Sequence, residues 1–278
     1  MKITINGVDA DIRPETEKTV GEVLCALESW LADSGYRLSG LSIDGEMVGI
    51  ESMEECFSRE IDAISILDIK TSSVAELLAE AFCQLAQDMD VFEAAGFEER
   101  RAFASGWVLS PQAILLAEQY PDFFELAVST FSGEGAGVKM LRPLAGERLR
   151  ELEDPVGEIR RAGPLVADVC GRLEEFPLDT QTGKDARAAE TVALFSGIAE
   201  KVFRLFYVLK MEGFPVGDII VEETPITTFI SEFGATLRDM LAAYEQHDTV
   251  LAGDIAEYEV APRLRGLHNA VIHAIIGD

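Results

Sequence analysis

Residues 1–12 read Met-Lys-Ile-Thr-Ile-Asn-Gly-Val-Asp-Ala-Asp-Ile, and this stretch decides the fold of the front of the chain. Ile3 and Ile5 alternate with polar neighbours, and Val8, Ala10 and Ile12 alternate again. Between them Asn6-Gly7 supplies the two positive-φ positions of a type I′ turn, so a β-hairpin is expected. Working outward, Thr19 is a helix N-cap and Glu22 completes a capping box. Val20, Val23, Leu24, Leu27, Trp30 and Leu31 then form one apolar face. This predicts a helix near 19–33, stopped by Gly35. Leu41 and Ile43 open a further strand, Asp44-Gly45 turns it, and Met47 and Val48 return. Ile61, Ala63, Leu67 and Ile69 alternate as a last strand.

Hairpin, helix, strand, short strand, strand is an order that resembles the β-grasp fold of ubiquitin and of the small bacterial sulfur carriers, down to an opening like MKITING. The resemblance covers about a quarter of the chain. Those proteins act through a flexible tail ending in Gly-Gly. Here Ile69-Lys70 runs into Thr71-Ser72-Ser73 and the chain continues, so the resemblance implies a module used for binding or as a structural cap, without the activation chemistry. The expected fold class is α+β: a small β-grasp-like domain over 1–72, followed by a larger all-α helical bundle over 73–278.

From Ser72 onward the periodicity is helical. Ser72 or Ser73 caps a helix carrying Val74, Leu78, Ala81 and Leu85 on one stripe. Pro111, Pro121 and Pro143 suit helix starts. Three later segments repeat at 3.5 residues. The first, Leu149 to Leu173, is cut by Asp154-Pro155 and Gly163-Pro164 into two or three helices. The second is Val192, Phe195, Ala199, Val202, Phe206 and Leu209. The third is Ile226, Ile230, Phe233, Leu237, Met240 and Tyr244. Such seams keep facing a partner helix and predict an antiparallel bundle; spacing does not decide whether every seam is satisfied within one chain or one is left for a second subunit, and a protein partner or self-association is expected. A last segment carries Leu251, Ile255, Tyr258, Leu264, Leu267 and Val271, interrupted by Pro262. The stretches PLDTQTGKDARAAETVALF (177–195) and AAYEQHDTVLAGDIAEYEVAPRL (242–264) are similar to uncharacterised bacterial proteins, which bring no activity with them.

Composition narrows the partners. The 278 residues carry 50 acidic and 23 basic side chains, a formal charge of −27. Both parts share it: 15 acidic against 6 basic residues in 1–72, and 35 against 17 in the rest. Nucleic acid and anionic membranes need basic stripes to displace counterions, so neither is an expected partner. Arg100-Arg101 and Arg160-Arg161 are short doublets expected on solvated faces. Apolar runs fall far short of a bilayer span, and no signal peptide is read at the start. The expectation is a soluble cytoplasmic protein without membrane insertion. Cys25, Cys56, Cys83 and Cys170 form no CxxC pair, and Cys25 and Cys170 are expected in cores.

Motifs that carry chemistry are scarce. Gly133, Gly135 and Gly137 lack the spacing of a phosphate loop and read as a linker. Thr182-Gly183-Lys184 lacks the upstream glycine, and Asp179, Thr180 and Thr182 read as turn formers and caps. His268 and His273 lie five apart, not four, and His247-Asp248 reads as a polar turn with Asp248 or Thr249 as cap. No metal and no cofactor is expected. The densest charge cluster offers one candidate site: Asp254 and Glu257 at i, i+3 with Tyr258 beside them, able to position two carboxylates. No catalytic residue is assigned. These features predict a non-enzymatic interaction or scaffold protein, the alternative being an enzyme or small-ligand sensor with a pocket among the C-terminal helices.

Overall fold

A computed structural model describes residues 1–14, 16–135 and 137–276. The chain is α+β, an N-terminal mixed sheet followed by helices. It divides into two compact units, residues 1–141 and 142–278.

The first unit opens with β1 (Lys2–Ile5) and β2 (Val8–Asp9), joined by Asn6 at φ 51° and Gly7 at φ 78°. This is the expected primed turn. Nothing lies within 4 Å of a β-carbon built on Gly7, so only backbone strain opposes a side chain there. Gly7→Val is therefore expected to lower stability by about 1 kcal/mol in chemical denaturation. An unchanged midpoint would mean that the turn relaxes freely. Helix α1 (Val20–Asp33) starts on the expected capping box, Thr19 with Glu22. Then come β3 (Tyr36–Ile43), β4 (Glu46–Met47), a short α2 (Met53–Phe57) and β5 (Ile66–Ser73). The strand order is β2-β1-β5-β3-β4, with β1 parallel to β5 and the other pairs antiparallel. Val20, Val23, Leu24 and Leu27 of α1 pack on Ile3, Leu41, Leu67 and Ile69 of the sheet.

The last strand starts later than its alternation suggests. Ile61–Ala63 is a 3-10 turn, held by the Ile61 amide on Lys18 O and the Ile64 amide on Ile61 O. Of the alternating residues there, Ile61 packs half-buried on the core while Ala63 is exposed, so the alternation does not mark a strand. Cys25 is exposed, and the buried cysteines are Cys56 and Cys170. Cys25 follows Leu24 on α1 and turns away from the stripe that meets the sheet. Burial raises the pKa of both the Cys56 and Cys170 thiols.

Ser73, with Glu76, caps α3 (Val74–Ala94) through a second capping box. Pro111 and Pro121 open α5 (Pro111–Gln119) and α6 (Pro121–Ser132) as expected, after α4 (Phe97–Trp107). Pro143 does not open a helix. It lies inside α7 (Val138–Glu153), where only the bond to the carbonyl four residues back is lost.

In the second unit α8 runs unbroken from Pro155 to Gln181, with Pro164 and Pro177 inside it. Asp154 caps it, but Gly163-Pro164 does not cut it. Gly163 serves close packing: a β-carbon there would stand 3.4 Å from His268 Cε1. α9 (Asp185–Met211) folds back on α8, and its expected seam of Phe195, Ala199, Val202, Phe206 and Leu209 is buried. A short β6 (Ile220–Val221) and β7 (Thr224–Pro225) hairpin leads to α10 (Ile226–Glu245). There the buried set is Ile226, Phe229, Phe233, Thr236, Met240 and Ala243, while Ile230, Leu237 and Tyr244 are half-buried. The seam is shifted by one residue at alternate steps, with Phe229, Thr236 and Ala243 buried in place of Ile230, Leu237 and Tyr244. α11 (Thr249–Ile255), a π-turn (Ala256–Val260) and α12 (Ala261–Ile276) complete the unit. Pro262 falls at the start of α12; Leu251 in α11 and Tyr258 in the π-turn are exposed, while Leu264, Leu267 and Val271 are buried.

Candidate ligand pocket

The corner between α3 and α4 is locked by Arg100, which the sequence places on a solvated face. Its Nε donates to Phe92 O at 2.9 Å and its Nη2 to Glu93 O at 2.8 Å. The guanidinium also lies 5.1 Å from the Phe92 ring centroid. Cationic hydrogen bonds to last-turn carbonyls, with a cation–π contact, close the end of α3. Behind the corner, Phe92, Phe103 and Phe131 meet with ring centroids 5.0–5.7 Å apart. Trp107 packs on Phe131, and its indole N–H donates to Asp88 at 3.1 Å. Of this cluster, Phe92 and Phe131 line the site, and Phe103 and Trp107 back Phe131.

The rim is the glycine segment. α6 ends on Gly133 in the left-handed region, and the chain doubles back so that the amides of Glu134 and Gly135 both donate to Ser129 O, at 3.0 and 2.8 Å. A β-carbon on Gly135 would stand 2.7 Å from Ser129 Oγ and 3.0 Å from the Thr130 amide nitrogen. Only glycine lets the loop approach α6 this closely. α7 then begins, and the first amides of any helix lack an intrahelical acceptor.

A cavity of about 860 Å³ lies among α3, α4, α6 and the start of α7. Phe92, Phe97 and Phe131 give it apolar walls, and Phe97 is 83% exposed. Arg101 and Lys139 also line it, and neither is ion-paired among the described residues. Thr130 lines it too, at 3% exposure, and its Oγ1 is the one buried side-chain polar atom without a hydrogen-bond partner among the described residues. An unmade hydrogen bond at a buried hydroxyl is costly and asks for a partner. A second cleft of about 460 Å³, on α8 and α9, is different. Its cations are matched by its own carboxylates: Arg172 with Asp168 and Glu190, Arg187 with Glu175.

Comparison with known proteins adds kinship without function. A family model described as the TP0873 N-terminal domain matches residues 1–73, and one described as a domain of unknown function (DUF8042) matches residues 159–270. An uncharacterized protein of Treponema pallidum (strain Nichols) is 22% identical over 277 residues, covering 100% of this chain and 99% of the relative. No solved structure matches.

The sequence-predicted residues lie elsewhere. Asp254 is exposed at the end of α11, Glu257 is half-buried in the π-turn, and Tyr258 beside it is 68% exposed. The hydrogen bond to Glu257 raises the Tyr258 phenol above its usual 10. Asp248 caps α11 as expected, accepting from the Leu251 amide at 3.1 Å. His268 is buried against Ile159 O at 2.9 Å. No group able to hold a metal ion occurs among the described residues. Asp179 departs from its expected role as a turn former. It is buried near the end of α8 and held by Lys184 at 3.1 Å and Arg187 at 3.2 Å, anchoring the turn into α9.

Sequence reasoning also missed a buried ionic network. Lys201 Nζ of α9 donates to Glu147 Oε1 and Glu158 Oε2, both at 2.8 Å, and lies 3.6 Å from Glu151. Arg204 grips both oxygens of Glu151, at 3.1 and 3.2 Å. Burial alone would raise the pKa of Glu147 and Glu158, but the Lys201 ammonium outweighs it and holds both below 4.5. Lys201 is itself raised above 10.5, its carboxylate partners outweighing burial. The cations and carboxylates satisfy one another, so this network fixes α7, α8 and α9 and leaves no group free for chemistry. The i, i+4 spacing of Glu147 and Glu151 and the i, i+3 spacing of Lys201 and Arg204 were the available signal.

Proposed function

We propose that this protein is a non-enzymatic binding protein, a small-ligand sensor that reports to a protein partner. The observation that carries the reading is the cavity of about 860 Å³ with the unpartnered Thr130 hydroxyl in its wall. Its size lies in the range of small-molecule sites, and apolar walls with a few polar groups are their usual make-up. Among the described residues no histidine or cysteine lines it, and no hydrogen bond joins its serines, Ser105 and Ser132, to its carboxylate, Glu93, in the nucleophile–base pairing that supports an enzyme reading. The pocket sits among helices ahead of the C-terminal ones, where the sequence alternative had put it.

The partner would meet the first 72 residues, taken as a β-grasp module and a separate domain. The β2-β1-β5-β3-β4 order, with its parallel central pair and one packed helix, supports that reading. The exposed cluster of Asp254, Glu257 and Tyr258 belongs to the proposal as a second contact surface. Most of the heptad-seam positions of α9, and Ile226, Phe233 and Met240 of α10, are buried in the core of the second unit, and the rest pack against it half-buried, which moves the weight toward the pocket. A cytoplasmic setting is part of the same reading; no helix among the described residues is long and apolar enough to cross a membrane.

The test is retention of a small molecule. The full chain, equilibrated with a cell metabolite extract and examined by native mass spectrometry, is expected to hold one small adduct per chain. Ala104→Trp, which fills the cavity from α4, is expected to abolish it. No adduct on the unmodified chain, or an adduct that survives Ala104→Trp, would overturn the reading.

A further inference from the structure

We infer that the pocket takes an organic anion: a small molecule with a planar apolar body and a strongly acidic head of the phosphate or sulfonate type. This rests on the ligand-binding reading above and names the class of ligand. Three independent observations support it. Arg101 and Lys139 are cations without a carboxylate partner among the described residues, placed at one cavity of a chain whose formal charge is −27. In the second cleft, by contrast, each cation is matched within the cleft, as is usual on an acidic surface. The cavity is also lined by Val138 and Lys139, the first residues of α7, a helix of 16 residues whose N-terminal end carries partial positive charge. The third is Thr130, which lines the same cavity at 3% exposure and whose buried Oγ1 has no hydrogen-bond partner among the described residues. An acidic head would receive the ammonium, the guanidinium, the helix amides and that hydroxyl together. A planar body would lie against Phe92, Phe97 and Phe131.

Among the described residues of the wall the one opposing charge is Glu93, whose carbonyl accepts from Arg100. Arg100 is thereby fixed as part of the frame, and the ligand's charge falls to Arg101 and Lys139. Both are on the surface, so replacing them leaves the core untouched.

The experiment uses two dyes of nearly the same body on the full chain: 8-anilinonaphthalene-1-sulfonate and its neutral analogue N-phenyl-1-naphthylamine. Fluorescence titration is expected to show one sulfonate site per chain, at least about tenfold tighter than the neutral dye, since charge-assisted hydrogen bonds are the strong ones. The double variant Arg101→Ala, Lys139→Ala should weaken the sulfonate by about tenfold or more and leave the neutral dye unchanged. Thr130→Val should weaken the sulfonate without lowering the melting temperature, which a hydroxyl with only a structural role would do. Phenyl phosphate should displace the sulfonate competitively. Equal affinity for both dyes, insensitive to the double variant, would overturn the anion inference while the pocket reading survives. Dye binding indifferent to Ala104→Trp would sink both.

Discussion

Lys201→Met is expected to destabilise the chain by about 3–5 kcal/mol at pH 7, measured by chemical denaturation, because it removes one partner from a buried ionic network. The methionine fills the same volume and makes no ion pair. Glu147 and Glu158 would each lose a 2.8 Å contact. Glu158 keeps Arg161 at 3.1 Å, and Glu151 keeps its two contacts from Arg204, so the loss falls chiefly on the Glu147 side. The effect carries a pH signature. In the native chain both carboxylates titrate below 4.5, so their stabilisation is present above that value and is lost as pH falls through their folded pKa values. In the variant, burial is no longer opposed by the ammonium, and the carboxylates titrate higher. The gap between the two proteins should therefore narrow as pH falls below about 4.5. On the alkaline side the sign reverses: the Lys201 contribution is present below 10.5 and lost as pH rises through its raised value. A loss under about 1 kcal/mol at pH 7, flat with pH, would mean that these groups are solvated like ordinary surface pairs.

What the sequence made legible was what is decided locally. The Asn6-Gly7 turn and the capping boxes at Thr19 and Ser73 involve residues three apart or less, and each appears as read. Prolines were legible only where they could start a helix. Pro143 and Pro164 lie inside α7 and α8 because the packing of long helices outweighs one missing backbone bond. The pocket was not legible, since its walls come from 92–105 and 130–139, segments joined only by folding. Gly133, Gly135 and Gly137 fail every phosphate-loop spacing, and what matters about Gly135 is its approach to Ser129, which no spacing records. Conversely Asp254, Glu257 and Tyr258 stand out in sequence because charges are dense there, and density on an exposed turn says little about convergence. Buried charge misleads in the same way: Lys201 reads as a solvated helix residue until Glu147 and Glu158 come to it from two other helices.

Phe233→Ala is expected to lower the stability of the second unit by about 3–5 kcal/mol, a large share of the 5–15 kcal/mol typical of a whole domain. Phe233 is fully buried in the middle of α10, with the rings of Phe203 and Phe229 at centroid distances of 5.9 and 6.1 Å. Truncation leaves a hole that three helices' worth of packed side chains cannot collapse into without losing their own contacts. The neighbouring pair tests the register. Hydrophobic spacing alone puts Ile230 in the seam, whereas the fold buries Phe229 and leaves Ile230 half-buried. Phe229→Ala should therefore cost distinctly more than Ile230→Ala, beyond the difference in side-chain volume. Light scattering on Phe233→Ala reads the other possibility for the seam, association with another chain. Core packing predicts a lower denaturation midpoint with assembly unchanged. A seam serving a partner copy would leave the midpoint alone and weaken assembly. Because α10 is buried along the line 226, 233 and 240, the first outcome follows from the structure, and an unchanged midpoint would contradict the packing of the whole second unit.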